Sequence, residues 1–194
     1  MARPRAFDET VALEKAMELF WLQGYHATSY GQLVEHMGVN RASLYSTFGD
    51  KQALFDKAVK QYTSQNLAQL KAFFETQDSV IKGLKKMIVQ SLEDDLTPDG
   101  PKGCFVVNTA TELQKGDEAT LKHLLNHKEL AEAVMADFIR SGQERGKITQ
   151  KQSAQQLAEY VFALYGGLKV MVKLKPERAY LTSVLETGLA TLEA

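Results

Sequence analysis

The chain predicts an all-α fold of about nine helices, on three observations. Apolar residues recur at helical spacing almost throughout, as in Leu13, Ala16, Phe20 and again in Leu54, Ala58, Tyr62. Only 4 prolines interrupt 194 residues, so there is little of the punctuation that bounds short strands. The apolar fraction of 44% and charged fraction of 24% are those of a globular chain with a core of its own.

Each element has its own signal. Asp8 can cap a first helix that Gly24 ends, and Thr28 or Ser29 can cap a second that stops at Gly38. Asn40 can cap a third, carrying Arg41 to Ser46, and Gly49-Asp50 supplies another stop and cap before a long helix from 51 to about 75. Further helices are expected at about 78–95, 103–115, 117–142, 149–174 and 176–192, with the clearest loop at Leu96-Thr97-Pro98-Asp99-Gly100-Pro101. The expected organisation is a domain at 1–50 and a second at 51–194.

Function must come from local chemistry, because 23 basic and 24 acidic residues leave a net charge of -1 and no global field. The single cysteine, Cys104, rules out an intrachain disulfide and a multi-cysteine metal site, and fits a reducing cytoplasm. No run of about 18 apolar residues marks a membrane span, and no apolar signal core follows the first residues, so the expected location is cytoplasmic with no membrane partner. Neither a Gly-x-Ser-x-Gly elbow nor a phosphate- or dinucleotide-cradling glycine loop occurs, so no enzyme and no cofactor are expected. His123 and His127, four apart with Glu129 nearby, do not complete a metal site and read as a solvated helix face. Glu93-Asp94-Asp95 lacks calcium-loop spacing and reads as a helix end and turn.

Between Thr28 and Phe48 the order helix, Gly38, turn, helix lets Leu33, Met37, Val39, Leu44 and Phe48 share one small core. That leaves Arg41, Ala42, Ser43, Tyr45, Ser46 and Thr47 facing outward, a mix of one cation, small residues and hydroxyls suited to phosphates and base edges in a major groove. Lys51, at the start of a helix whose amides favour anions, could clamp a phosphate, and Arg3 and Arg5 on an arm before the first helix could reach a minor groove. Residues 1–60 carry seven basic and seven acidic side chains, so specific binding should need both halves of a dimer.

Thr28-Ser29, Leu33, Gly38-Val39, Ser43-Leu44-Tyr45, Phe48 and Lys51 to Leu54-Phe55 together resemble the amino-terminal domain of TetR-family repressors. The resemblance implies a homodimeric transcriptional regulator whose first three helices bind double-stranded operator DNA while the rest binds a small inducer and dimerises. It implies that Arg41, Ala42 and Ser43 approach bases, and that Thr28, Tyr45, Thr47 and Lys51 contact phosphates. The chain departs from the common pattern at Thr47, where histidine is frequent, and at Asn40, where serine or threonine is; both can still hydrogen-bond.

Within 155–174, Leu157, Val161, Leu164, Leu168 and Met171 form one stripe, and the last helix offers Leu181, Val184, Leu185, Leu189 and Leu192. These two helices read as the dimer surface, with an ordinary subunit core as the competing reading. Cys104 follows the loop at a predicted helix start, where backbone amides and Lys102 would favour thiolate. The stretch Gly103 to Asn108 with Glu112-Leu113 is similar to the TetR-family subgroup that senses electrophiles such as N-ethylmaleimide, which implies a reactive electrophile as signal. The alternatives are that Cys104 is an apolar filler and that a metabolite binds without thiol chemistry. A noncovalent site would draw on Met87, Phe105, Asn108, Thr109, Glu112, Phe138, Phe162 and Tyr165.

Overall fold

A computed structural model describes residues 7–97, 100–114 and 116–194. Arg3 and Arg5, Pro98 and Asp99 of the expected loop, and Lys115 lie outside the described residues. Among those described, nine helices follow in order: α1 (Glu9–Gln23), α2 (Tyr30–Met37), α3 (Arg41–Phe48), α4 (Lys51–Glu75), α5 (Val80–Glu93), α6 (Phe105–Glu112), α7 (Glu118–Glu144), α8 (Ala154–Leu174) and α9 (Arg178–Ala190).

The first four helices begin where the cap residues place them. Asp8 accepts from the Thr10 and Val11 amides at 2.8 and 3.2 Å, Asn40 from Ser43 at 2.8 Å and Asp50 from Ala53 at 2.8 Å. Ser29 and Gln32 exchange side-chain and backbone bonds in a capping box. Each such cap stabilises its helix by about 1 kcal/mol. Gly38 takes φ +69°, a left-handed conformation that reverses the chain between α2 and α3 without a Cβ penalty.

α8 starts five residues later than periodicity suggests, because Ser153 and Gln156 form a second capping box. The preceding segment is tied elsewhere: the Thr149 amide donates to Leu192 O at 2.9 Å, and Ile148 is paired with Glu193 in an isolated antiparallel bridge.

Two apolar clusters form. One gathers Ala16, Phe20, Leu33, Leu44, Leu54 and Phe55 of the first four helices, and continues into Cys104, Phe105 and Val106. The other joins α5, α7, α8 and α9 around Leu84, Ile88, Ile139, Val161 and Leu185. This second cluster corrects the expected dimer surface. Leu157, Val161, Leu168, Leu181, Leu185, Leu189 and Leu192 are buried inside the subunit, while Leu164, Met171 and Val184 are half-buried against its core. α8 carries two apolar stripes, and the stronger one is the core.

Candidate DNA-reading face and sensor cavity

With Leu44 and Phe48 buried, α3 turns Arg41, Ala42, Tyr45 and Ser46 outward, and Ser43 and Thr47 are half-buried beside them. Ser46 donates to the Ser43 carbonyl at 3.0 Å. Tyr45 stacks on Tyr30 with centroids 4.5 Å apart and planes 13° apart, and the Arg41 guanidinium lies 5.7 and 5.9 Å from the two rings. Tyr30 donates to Gly49 O at 3.0 Å, and burial, then the neighbouring Tyr45 phenol, pushes its own phenol up to about 12, so it stays an O–H. Tyr30, which sequence reasoning missed, therefore supports the exposed face; its position just after the Ser29 cap was the available signal. Ser29 remains exposed at the α2 start.

Two expected phosphate contacts are corrected. Thr28 is 1% exposed and donates to Gly24 O at 2.6 Å, closing the α1–α2 connection instead of facing solvent. Lys51 donates to the carbonyls of Tyr25 and Thr28 at 2.9 and 3.0 Å and lies 4.2 Å from the Tyr25 ring centre. Its ammonium thus pins α4 to the α1–α2 connection, and burial lowers its pKa. The Ala53 amide at that helix start is already taken by Asp50. Lys57 does similar work at the other end of the motif, donating to the last carbonyls of α3, Thr47 and Phe48, at 3.3 and 3.4 Å.

Direct bonds join α1 and the residues just after it to α6 and the segment that precedes it. Glu112 of α6 accepts from the Tyr25 amide at 2.8 Å, and Gly24 stands beside it at φ +83°, where a Cβ would lie 2.1 Å from the Glu112 carboxylate and displace it. Trp21 donates to Gly103 O at 3.2 Å, and the Gly103 amide donates to Asp95 at 2.8 Å. Asp95, 2% exposed, pairs with the 4% exposed Lys169, which also donates to Ser91 O and Oγ at 2.8 and 3.0 Å. Asp95 is thus part of a buried network, a correction to its reading as a simple turn residue.

A cavity of about 240 Å³ lies among α4, α5, α7 and α8. Four expected residues line it: Cys104, Met87, Phe162 and Tyr165. Five do not. Phe105 is held by Trp21, Phe55 and Tyr62, with ring centroids 6.2, 5.9 and 5.4 Å away. Asn108 bonds Lys102 O and Lys173, both at 2.8 Å, and Glu112 is committed to Tyr25. Thr109 is buried toward α1 and α4, and Phe138 stacks on Phe74 at 4.4 Å. In their place the walls include His127, Asn66, Gln69, Gln90 and Ser91, which the sequence did not single out for a pocket.

Cys104 caps α6 through its backbone only and is 6% exposed. Its sulfur lies 4.0 Å from the Tyr62 hydroxyl, and Lys102 approaches Glu18 at 3.9 Å. Burial foremost, then Cys104, raises the pKa of Tyr62 and of Tyr165 well above the usual phenol range. Tyr165 shares a 3.1 Å bond with Ser91. A more polar recess of about 370 Å³ adjoins the cavity, sharing Asn66, Gln69, Ser91 and Tyr165 and bounded by Trp21 and Lys169. His127 is 5% exposed, against its reading as a solvated residue, because α7 turns it toward α4. No group of three metal-binding side chains occurs among the described residues, and no described helix is long and apolar enough to cross a membrane.

The weaker stripe of α8 faces outward. Tyr160, Val170 and Leu174 are 40, 38 and 74% exposed, Ala163 and Gly167 lie between them, and nothing comes within 4 Å of where a Gly167 Cβ would stand.

Comparison with known proteins agrees with this architecture. Residues 12–58 match the family model described as bacterial regulatory proteins, tetR family, and residues 81–187 match that described as tetracyclin repressor-like, C-terminal domain. The HTH-type transcriptional repressor ComR of Escherichia coli K12 is 30% identical over 98% of this chain and 90% of its own length. The uncharacterized HTH-type transcriptional regulator YezE of Bacillus subtilis 168 is 27% identical over the whole of both chains. A cysteine mutant of the TetR family regulator CifR, solved with 26-bp double-strand operator DNA, superposes with a TM-score of 0.85 at 28% identity, covering 98% of this chain and 100% of its own. The reduced form of E. coli NemR superposes at 0.86 with 17% identity over 95 and 96% of the two chains, a likeness of fold. On the matches at both ends of the chain, the protein belongs to the TetR family and is a DNA-binding transcriptional regulator.

Proposed function

We propose that this regulator is a repressor that binds a near-palindromic operator as a homodimer and leaves it when a small molecule enters the cavity. It acts in the cytoplasm and catalyses no reaction of its own. The observation that carries the reading is the outward face of α3, where Arg41, Ala42, Tyr45 and Ser46 project from a helix fixed by Leu44 and Phe48. Residues 1–50 form the DNA-binding domain and 51–194 the effector and dimerisation domain. Arg41, Ala42 and Ser43 meet base edges, while Tyr45, Thr47 and Ser29 meet phosphates, with Arg3 and Arg5 adding contacts from the arm.

The outward α8 stripe of Tyr160, Gly167, Val170 and Leu174 pairs with its copy and sets two α3 helices about 34–36 Å apart in successive major grooves. Ligand that prefers a different separation lowers operator affinity by its differential binding. A covalent variant has one observation in its favour: Cys104 lines the cavity wall, so an electrophile that enters meets the sulfur. Its thiol would add across an activated C=C, sulfur to the β-carbon and proton to the α-carbon.

The test is fluorescence anisotropy on the upstream intergenic DNA of the protein's own gene, with and without N-ethylmaleimide, for wild type, Cys104→Ser, Arg41→Ala and Tyr45→Ala. Arg41→Ala is expected to weaken binding and relax base preference by about 1–3 kcal/mol, and Tyr45→Ala to weaken binding on every duplex. Release by N-ethylmaleimide in wild type but not in Cys104→Ser supports the thiol switch. Undiminished binding by both α3 variants sinks the assignment of the reading face.

A further inference from the structure

Two buried side-chain polar atoms have no hydrogen-bond partner among the described residues, Thr109 Oγ1 and His127 Nδ1, and only His127 lines the 240 Å³ cavity. A buried acceptor without a partner costs about 1–3 kcal/mol, so the unliganded site holds a standing preference for a group that would satisfy it. The ring's state fixes what that group must be. Burial lowers the pKa of His127 below its ordinary value, the Thr63 backbone opposing this only in part, so the imidazole is neutral at cellular pH. Nδ1 has no partner among the described residues, and in the neutral tautomer that carries its proton on Nε2 this atom is a bare lone pair that can only accept.

The remaining walls say what the rest of the molecule is. No Asp, Glu, Lys or Arg stands among the described lining residues, and Leu70, Phe73, Met87, Met135 and Phe162 are among the cavity's apolar walls. In the adjoining recess, Asp95 and Lys169 are spent on each other, on Gly103 and on Ser91. Tyr165 and Ser91 already bond one another at 3.1 Å. An ion entering here would lose its hydration without a countercharge. The volume equals that of about eight waters in the liquid, which suits a small molecule.

We propose that the cavity recognises an uncharged, largely apolar small molecule bearing a hydroxyl or amide N–H, which donates to His127 Nδ1. This ligand class rests on the reading of the cavity as the sensor site, but it is tested on protein without DNA. The probes are benzyl alcohol, benzyl methyl ether, which accepts but cannot donate, and benzoate, which is charged; affinities are read by ligand-observed NMR, and the His127 ring by its 15N resonances. The alcohol is expected to bind at least about tenfold tighter than the ether, with benzoate weaker than both, and to shift the Nδ1 resonance. His127→Phe should bring alcohol and ether together, and His127→Gln, which keeps an acceptor, should retain most of the preference. Equal affinities in wild type, a preference that survives His127→Phe, tighter benzoate, or no saturable binding of the alcohol each overturn the proposal. Duplex titrations run in parallel answer the other question: failure to bind any duplex overturns the repressor reading and leaves the ligand result standing.

Discussion

Lys169→Met tests the buried network most directly. The wild-type ammonium bonds Asp95, Ser91 O and Ser91 Oγ at a site where the two charged residues are 4 and 2% exposed. Methionine keeps the length of the side chain and removes all three donors, leaving the Asp95 carboxylate with the Gly103 amide as its remaining bond. Removing one partner of a buried pair costs about 3–5 kcal/mol, since the other charge stays desolvated. For a chain of 194 residues, at about 2–4 °C per kcal/mol, the melting temperature should fall by about 6–20 °C. The assay is thermal and urea unfolding by circular dichroism at fixed protomer concentration, because the proposed dimerisation would make stability concentration-dependent. The double variant Asp95→Leu with Lys169→Met should recover most of the loss, short of about 1 kcal/mol for the Gly103 amide left without its acceptor. A Lys169→Met protein within about 1 kcal/mol of wild type would refute the claim that this pair is desolvated and mutually dependent.

Three further outcomes follow from the same geometry. Val170→Glu, on the outward α8 stripe, should shift sedimentation toward monomer at little cost to subunit folding, whereas Leu168→Ala beside it should cost about 2–5 kcal/mol of stability. Glu112→Ala should speed hydrogen exchange at the Tyr25 amide, and Glu112→Gln, which keeps an acceptor, should do so less. Burial lowers the folded-state pKa of His127 beneath its usual 6.5, so the unfolded chain binds the extra proton first. This contribution is therefore constant above about pH 6.5 and is lost as pH falls from there toward the folded pKa; His127→Gln should flatten that part of a stability profile measured between about pH 5 and 8.

The helices were legible where a side chain talks to its own backbone. Asp8, Ser29, Asn40 and Asp50 cap within three residues of themselves, so their signal survives in one dimension. The α8 start was legible too, in Ser153 and Gln156, but the apolar periodicity running back to Thr149 masked it. The outward face of α3 could be read because Leu44 and Phe48 leave no other side for the rest. The cavity could not. His127 sits among Lys128, Glu129 and His123 in sequence, and its burial is decided by α4, more than fifty residues away along the chain. Asp95 is one of three adjacent acids, and Lys169 and the Gly103 amide, both distant in sequence from the helix end, select it. On α8 periodicity finds two apolar stripes and cannot say which meets the subunit's own core; Leu157, Val161, Leu168 and Val172 went inward, and the exposed stripe holds Tyr160, Ala163, Gly167, Val170 and Leu174.

Ser91 borders the cavity and also accepts from Lys169, whose partner Asp95 holds the Gly103 amide, while the Gly103 carbonyl holds Trp21 of α1. A molecule competing for Ser91 therefore acts on the first bond of a relay ending in the helix beside the reading motif. Equilibrium coupling along such a relay is reciprocal: whatever factor the ligand takes from operator affinity, the operator takes from ligand affinity. Protein seated on DNA would then respond at a higher ligand concentration than free protein does. On the proposed reading, the threshold of the response would be a property of the operator as much as of the cavity.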